Sequence, residues 1–434
     1  MVHLKLNSIV SRLAVALAGL AVFLSLTVWI ARTCLADHVA DDPTVKNLER
    51  ATHLDPGNSK YHLRLARLAQ YSLEDMNPEL AMVQLNEAAR LNPRDPQPWL
   101  ELSAAQGFQG DVAASEASLR RADSLAPNLP PVQWVIGNFF LLQGNTDEAF
   151  RHFKTVLAGT PQYNKILFST AWKATDDGEK ILRELIPEKV GTEIDYLYYL
   201  LVQQQYAETE AVWKRIAASS EPFPPARAAG YIDLLITTQR PDEAALVWND
   251  LQRMGVINPT YQARGGNLLV NGDFEEPLLK MGFDWRIGTH EGIYVGLDGS
   301  TFHSPSHSIL ITYSGNENVN LRHIFQFVRV SPGRPYRLTG FLKTEGITTD
   351  SGPRLEVRDA YDPTALHEFS EGLPGSSGGW SQLLLDFSTS PKTQLIIVGV
   401  ARLPSKKLDS LIAGKVWMDD LSLTALPAEA ARAR

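Results

Sequence analysis

Near Asn267 the spacing of apolar residues changes from helical to alternating, and no single layer of structure accommodates both periods. From Pro43 to about Asn258 apolar residues return every three to four positions, as on amphipathic helices. From Asn267 to Thr424 short alternating runs are broken by Gly, Pro and Asn, the pattern of strands and turns. The expected fold class is α + β multidomain. It has an α-helical repeat solenoid over 43–258 and an antiparallel β-sandwich of jelly-roll type over 267–424, with a membrane or signal segment over 1–36 and a flexible tail over 425–434. A chain of 434 residues has room for two or three cores. Its charge, −8 overall, is interspersed and forms no Lys/Arg block of the kind a nucleic-acid partner requires.

Leu13 to Ala31 is an uncharged apolar run. As a helix it reaches about 28 Å, close to the hydrocarbon thickness of a bilayer. Lys5 and Arg12 precede it and Arg32 follows. The greater basic charge on the N-terminal side orients the remainder to the periplasmic or extracellular side. Ala36 and Ala40 offer cleavage points, so two outcomes stand: an uncleaved anchor through residues 13–31, or a signal whose removal leaves a secreted protein. Cys34 is the single cysteine, which excludes an intrachain disulfide and a four-cysteine metal site.

Within the helical half, prolines at 56, 93, 127 and 161 each follow an apolar run, at spacings of 37, 34 and 34 residues. A proline ends a helix because it lacks the amide hydrogen and restricts the residue before it. Trp134, Gly137, Ala149, Phe153 and Pro161 reproduce the W…LG…Y…A…F…P pattern, and Gln109-Gly-Asp111 and Gln143-Gly-Asn145 supply the turns between paired helices. These features resemble the tetratricopeptide repeat, with degenerate units continuing through Trp213 and Trp248. The resemblance implies a surface that recruits a protein partner. The tryptophans at 99, 134, 213 and 248 are expected to pack in the array.

The second half holds strand-sized runs such as Ser308–Tyr313, Ile324–Val330, Tyr336–Leu342, Arg354–Arg358, Leu383–Phe387, Gln394–Val398 and Lys415–Met418, about nine in all with Leu268–Val270 and Ile293–Leu297. Asn267-Leu-Leu-Val-Asn-Gly-Asp-Phe-Glu275 looks like the opening of the carbohydrate-binding modules found beside xylanases and glucanases. Gln326–Tyr336, Gly379–Leu383 and Val416–Leu423 match later blocks of the same modules. That resemblance implies a structural calcium ion held by Glu275 and by Asp419 or Asp420, of which Asp420 is the preferred ligand. Calcium takes several hard oxygens at about 2.3–2.6 Å, which such carboxylates supply. A sugar site needs aromatic faces and planar polar groups. Trp285 and Tyr294, flanking the segment 286–295, are the candidate ligand-binding aromatics, and Trp380 is expected in the core.

Neither HExxH nor a P-loop occurs. The expected function is non-catalytic: an extracytoplasmic binding or scaffold protein whose repeats recruit a protein and whose sandwich binds polysaccharide, in cell-envelope or exopolysaccharide assembly. The alternative is a glycan-acting enzyme, or an accessory subunit of one, using a pair from Glu275, Asp284, Asp298, Glu317, Glu345, Glu356 and Asp359.

Overall fold

A computed structural model describes residues 9–427; Lys5 and the 428–434 part of the expected tail lie outside the described residues. The chain forms two compact units, Met1–Pro187 and Glu188–Arg434.

The first unit is helical throughout. Its elements are α1 (Ile9–Ala40), α2 (Val45–Leu54), α3 (Ser59–Tyr71), α4 (Pro78–Leu91), α5 (Pro96–Phe108), α6 (Val112–Leu125), α7 (Pro130–Leu142), α8 (Thr146–Gly159), α9 (Asn164–Ala174) and α10 (Gly178–Lys180), which runs on into a π-helical turn at Ile181–Leu185. Helices α2, α4, α6 and α8 each stop two residues before one of the spaced prolines. The starts are equally legible. Asn77, Asp95, Asp111 and Asn145 accept hydrogen bonds from the first-turn amides, and Pro78, Pro96 and Pro130 occupy the first helical position, where no amide donor is needed. Consecutive helices pair as α3 with α4, α5 with α6 and α7 with α8. Gly110 and Gly144 close two of those hairpins at φ +83° and +74°. Gly137 lets α7 approach α8: a Cβ there would enter the ring of Phe153.

The apolar side chains of α1 from Leu13 to Ile30 are exposed along the helix, which is long and apolar enough to cross a membrane. Its last turns behave differently. Ala36 and Ala40 are buried against Leu48, Ala51, Tyr61 and Leu65. Arg32 donates to the carbonyls of Leu54 at 3.1 Å and His53 at 3.2 Å, both left free at the end of α2. The hydroxyl of Tyr61 donates to Asp37, and Arg64 to the Ala40 carbonyl at 2.6 Å. The array is expected from residue 43; contacts of α1 with α2 and α3 already begin at Arg32, and no proline or glycine lies between Arg32 and Pro43 to end the helix sooner.

In the second unit α11 (Val190–Val202), α12 (Thr209–Ala218), α13 (Ala229–Thr237) and α14 (Pro241–Arg253) form two further hairpins. Trp213 and Trp248 are buried in them as expected; Trp99 and Trp134 of the first unit are half-buried. The turn position taken by glycine in the first unit is held here by Gln204 and Gln239, at φ +58° and +59°.

Ten strands follow: β1 (Arg286–Ile287), β2 (Ile293–Asp298), β3 (Ser308–Ser314), β4 (Leu321–Arg329), β5 (Pro335–Glu345), β6 (Arg354–Asp359), β7 (His367–Phe369), β8 (Ser381–Ser388), β9 (Leu395–Arg402) and β10 (Ala413–Ala425). They make two antiparallel five-stranded sheets, β1-β4-β9-β6-β7 and β2-β3-β10-β5-β8. Leu268–Val270, expected as a strand, is not one; its link to the sheet is a Leu268 amide bond to the Leu423 carbonyl. Alternation turns Ile309, Ile311, Leu338, Leu342, Leu355, Val357, Ile396, Val398, Val416 and Met418 into one core between the sheets. The helices dock on the β1/β4 side. Trp248 packs edge-on against Phe283 and over Gly282, whose φ of +56° leaves room for the indole. Arg286 pairs with Asp233 of α13 at 2.5 Å, and Arg329 with Asp242 of α14.

Candidate functional site

The outer face of the first sheet carries polar groups that alternation turns away from the core. On β6 these are Arg354, Glu356 and Arg358. Across the sheet, register places Glu356 opposite Gly399 of β9 and Phe369 of β7, and Gly399 opposite Phe325 of β4. The central strand contributes little bulk at this level, since a Cβ at Gly399 would strike the Phe325 backbone. Arg322, opposite Ala401, reaches over β9 and pairs with Glu356 through Nε at 2.6 Å and Nη2 at 2.5 Å. His367 Nε2 adds a third contact to Glu356 at 2.9 Å. A guanidinium–carboxylate plane thus spans the sheet between two aromatic rings, with the Arg322 cation 6.0 Å from the centre of Phe325. The Glu356 side chain is 3% exposed although it lies outside the core. Arg358 lies beside this pair, and burial together with Arg322 holds its guanidinium below the ordinary arginine value. The β1/β4 margin of the face is taken by the α13–α14 contacts.

The aromatic candidates separate. Trp285 is 0% exposed. Its ring lies 5.2 Å from that of Phe274 and its Nε1 donates to the Asn271 carbonyl at 2.8 Å. It has no free face for a ligand, so the expectation that it stacks on a sugar gives way to a packing role. Tyr294 is on the other sheet, at the β2 edge, and is 59% exposed. Its phenol lies over Gly296, where any side chain would collide with it, so one ring face rests on the sheet and the other is open. Trp380 is half-buried, edge-on to His303 at 5.7 Å, where the core had been expected.

Asp284, beside Trp285, is wholly buried and accepts from the Leu279 amide at 2.6 Å. Burial pushes its carboxyl up from 3.8 to about 7, against hydrogen bonds that pull it down. The folded state therefore holds a proton between about pH 4 and 7 that the unfolded chain releases, and stability from this group falls as pH rises through that window. Wild type minus Asp284→Asn is expected to show that fall in melting temperature from pH 5 to pH 8. A difference that is flat or rises with pH would refute it.

Glu275 and Asp420 do come together, lining one cavity of about 440 Å³ with Asn271, Asp273 and Glu276. Asp420 sits at φ +47° in the irregularity that breaks the β10–β5 register. The segment 303–307 lies between the two carboxylates. Ser306 and His307 amides donate to Glu275 at 3.0 and 2.9 Å, and Ser304 and His303 bond Asp420 at 2.7 and 2.5 Å. Burial raises the Glu275 carboxyl, but the bonds from Ser306 and His307 outweigh it and hold the group below its ordinary value. Four carboxylates and an amide around one cavity suit a hard cation in donor chemistry. The Glu275 and Asp420 oxygens are taken by serine and histidine donors, and among the described residues no group of three or more His, Cys, Asp or Glu is arranged to hold a metal.

Sequence reasoning counted Glu356 only among many carboxylates. The Arg-x-Glu-x-Arg alternation at 354–358 was the available signal for a polar outer face. The partners Arg322 and His367 were not readable, since the register that delivers them depends on β9.

No family model and no curated protein sequence matches the chain. Among solved structures, the enzymatically active domain of tailspike protein 4 from bacteriophage CBA120 is similar at 13% identity over 37% of this chain, with a TM-score of 0.27. This chain spans 22% of that protein's length. A CBM4 structure is similar at 14% identity over 36% of this chain and 99% of its own, TM-score 0.27, and MamA at 16% over 38% and 88%, TM-score 0.29.

Proposed function

We propose that this is a membrane-anchored, extracytoplasmic, non-catalytic scaffold that binds polysaccharide through its sandwich and a protein partner through its repeats, in envelope or exopolysaccharide assembly. The observation that carries it is the Arg322–Glu356–His367 plane laid between Phe325 and Phe369 on an outer sheet face. Planar polar groups meet sugar hydroxyls, and flanking rings meet the apolar side of a pyranose. In the first unit Tyr71, Phe108 and Leu142 end α3, α5 and α7 with large exposed side chains, 60%, 77% and 86%. A repeated apolar position of this kind supports docking of a partner with apolar side chains.

The test is binding of the full-length protein, in detergent, to a panel of soluble glycans. Phe369→Ala is expected to weaken binding at least tenfold without moving the melting temperature by more than a few degrees, whereas Glu356→Gln, which unpairs Arg322, is expected to weaken binding and lower the melting temperature together. Loss with Tyr294→Ala instead would transfer the site to the second sheet. A flat response across a diverse panel would sink the glycan reading.

Calcium is part of the proposal as a structural ion entering at Glu275 and Asp420, where it would replace serine and histidine donors. With calcium about 100-fold above Kd the folded state gains about 2.7 kcal/mol, so a chelator should lower the melting temperature. Glu275→Gln is expected to melt like chelated wild type and to ignore added calcium. Wild type that melts identically with chelator and with calcium has no such ion.

A further inference from the structure

The outer face of the first sheet has more cationic than anionic groups. Arg322, Arg354 and Arg358 surround one carboxylate, Glu356, and that carboxylate is already engaged by Arg322 and His367. Arg354 and Arg358 form no ion pair among the described residues, and the Nε of each is buried without a hydrogen-bond partner. The contact Arg354 does make, to Ser351 Oγ, is long at 3.4 Å. The hydroxyl of Tyr361, just past β6, is also buried and unbonded. This local excess stands in a chain whose net charge is −8.

We propose that this face selects a polysaccharide bearing carboxylates, a uronic-acid polymer, with Arg354 and Arg358 as the groups that bind them. The inference rests on the glycan reading above and adds the ligand's charge to it. Residues 354 and 358 are four apart on one strand, about 13 Å, and flank Glu356 on the same face. That span separates them enough to address different sugar residues of one chain. A guanidinium presents two parallel N–H donors to a carboxylate, a geometry a lysine lacks. Glu356 between them is buried and neutralised by Arg322, so it does not repel the ligand's carboxylates.

The experiment compares full-length protein in detergent against polygalacturonate, the same polymer with its carboxyls reduced, a neutral β-glucan and dextran sulfate. Polygalacturonate is expected to bind at least tenfold tighter than its reduced form, an arm that needs no variant. Arg354→Gln and Arg358→Gln are expected to remove most of that preference, and Arg358→Lys to restore it only in part, with melting temperatures close to wild type. Equal binding of the charged and reduced polymers overturns the inference while leaving the glycan reading intact. Dextran sulfate binding as tightly as polygalacturonate, with both lost in moderate salt, overturns it as unselective charge attraction. Failure of every polymer to bind removes the glycan reading and the inference with it.

Discussion

Arg402→Met is expected to destabilise the second unit by about 3–5 kcal/mol, because several buried acceptors lose their donor at about 1–3 kcal/mol each. Arg402 is fully buried and lies at the end of β9. Its Nη1 donates to Asn318 Oδ1 and to the Val319 carbonyl, both at 2.6 Å, its Nη2 to the Ser410 carbonyl at 2.9 Å, and its Nε to the Ser351 carbonyl at 3.3 Å. One guanidinium thus fixes three loops by their backbone oxygens. Methionine fills much of the volume and leaves those acceptors dry, each at a cost of about 1–3 kcal/mol. The gain from no longer burying a cation offsets part of that. For a unit of this size each kcal/mol moves the melting temperature by about 2–4 °C. A drop of roughly 10 °C is therefore the expected reading, with Arg402→Lys recovering a minor part. A methionine variant within about 2 °C of wild type would show that the loops hold themselves.

Trp285→Ala should cost about 3–5 kcal/mol, the usual price of emptying a large buried aromatic site. Two terms add: the cavity beside Phe274, and the lost donor to the Asn271 carbonyl. Trp285→Phe isolates the second, at about 1–3 kcal/mol. Asn271 and Phe274 both have positive φ, 49° and 54°, and the turn they form delivers Glu275 to its cavity. The indole thus stabilises a strained turn as well as filling space. Had Trp285 been a ligand platform, alanine would abolish glycan binding and leave the melt unchanged. That result would reverse its assignment to the core.

Most of the architecture could be read from local signals. The prolines at 56, 93, 127 and 161 are stop signals that act on their own helices, and each helix does end two residues earlier. Period-two runs gave most strands, because burial of one face is a local pattern. Where order comes from distant partners, the sequence was silent. β7 has three residues and is a strand only because β6 pairs with it. Trp285 and Tyr294 looked equivalent as aromatics beside a loop, and only packing separated them. Gln204 and Gln239 take the turn position in the two degenerate units read through Trp213 and Trp248; their positive φ, costing about 1 kcal/mol for a residue with a Cβ, had no compositional cue. Glu275 and Asp420, 145 positions apart, line one cavity; the segment 303–307 that lies between them was not foreseeable.

The apolar helix long enough to cross a membrane and the helix that opens the array are one rod, Ile9–Ala40, bolted by Arg32, Ala36 and Ala40. A rod has no slack. Tilting or rotating the apolar portion turns the first repeats by the same angle, and their height above the bilayer is set by residue count at about 1.5 Å each. Inserting a single residue between Ala31 and Ala36 would swing the array by about 100° about the helix axis. Under the anchoring proposed above, the helix does the work of a keyed shaft, so that lipid thickness and helix phase set which side of the repeats faces along the membrane.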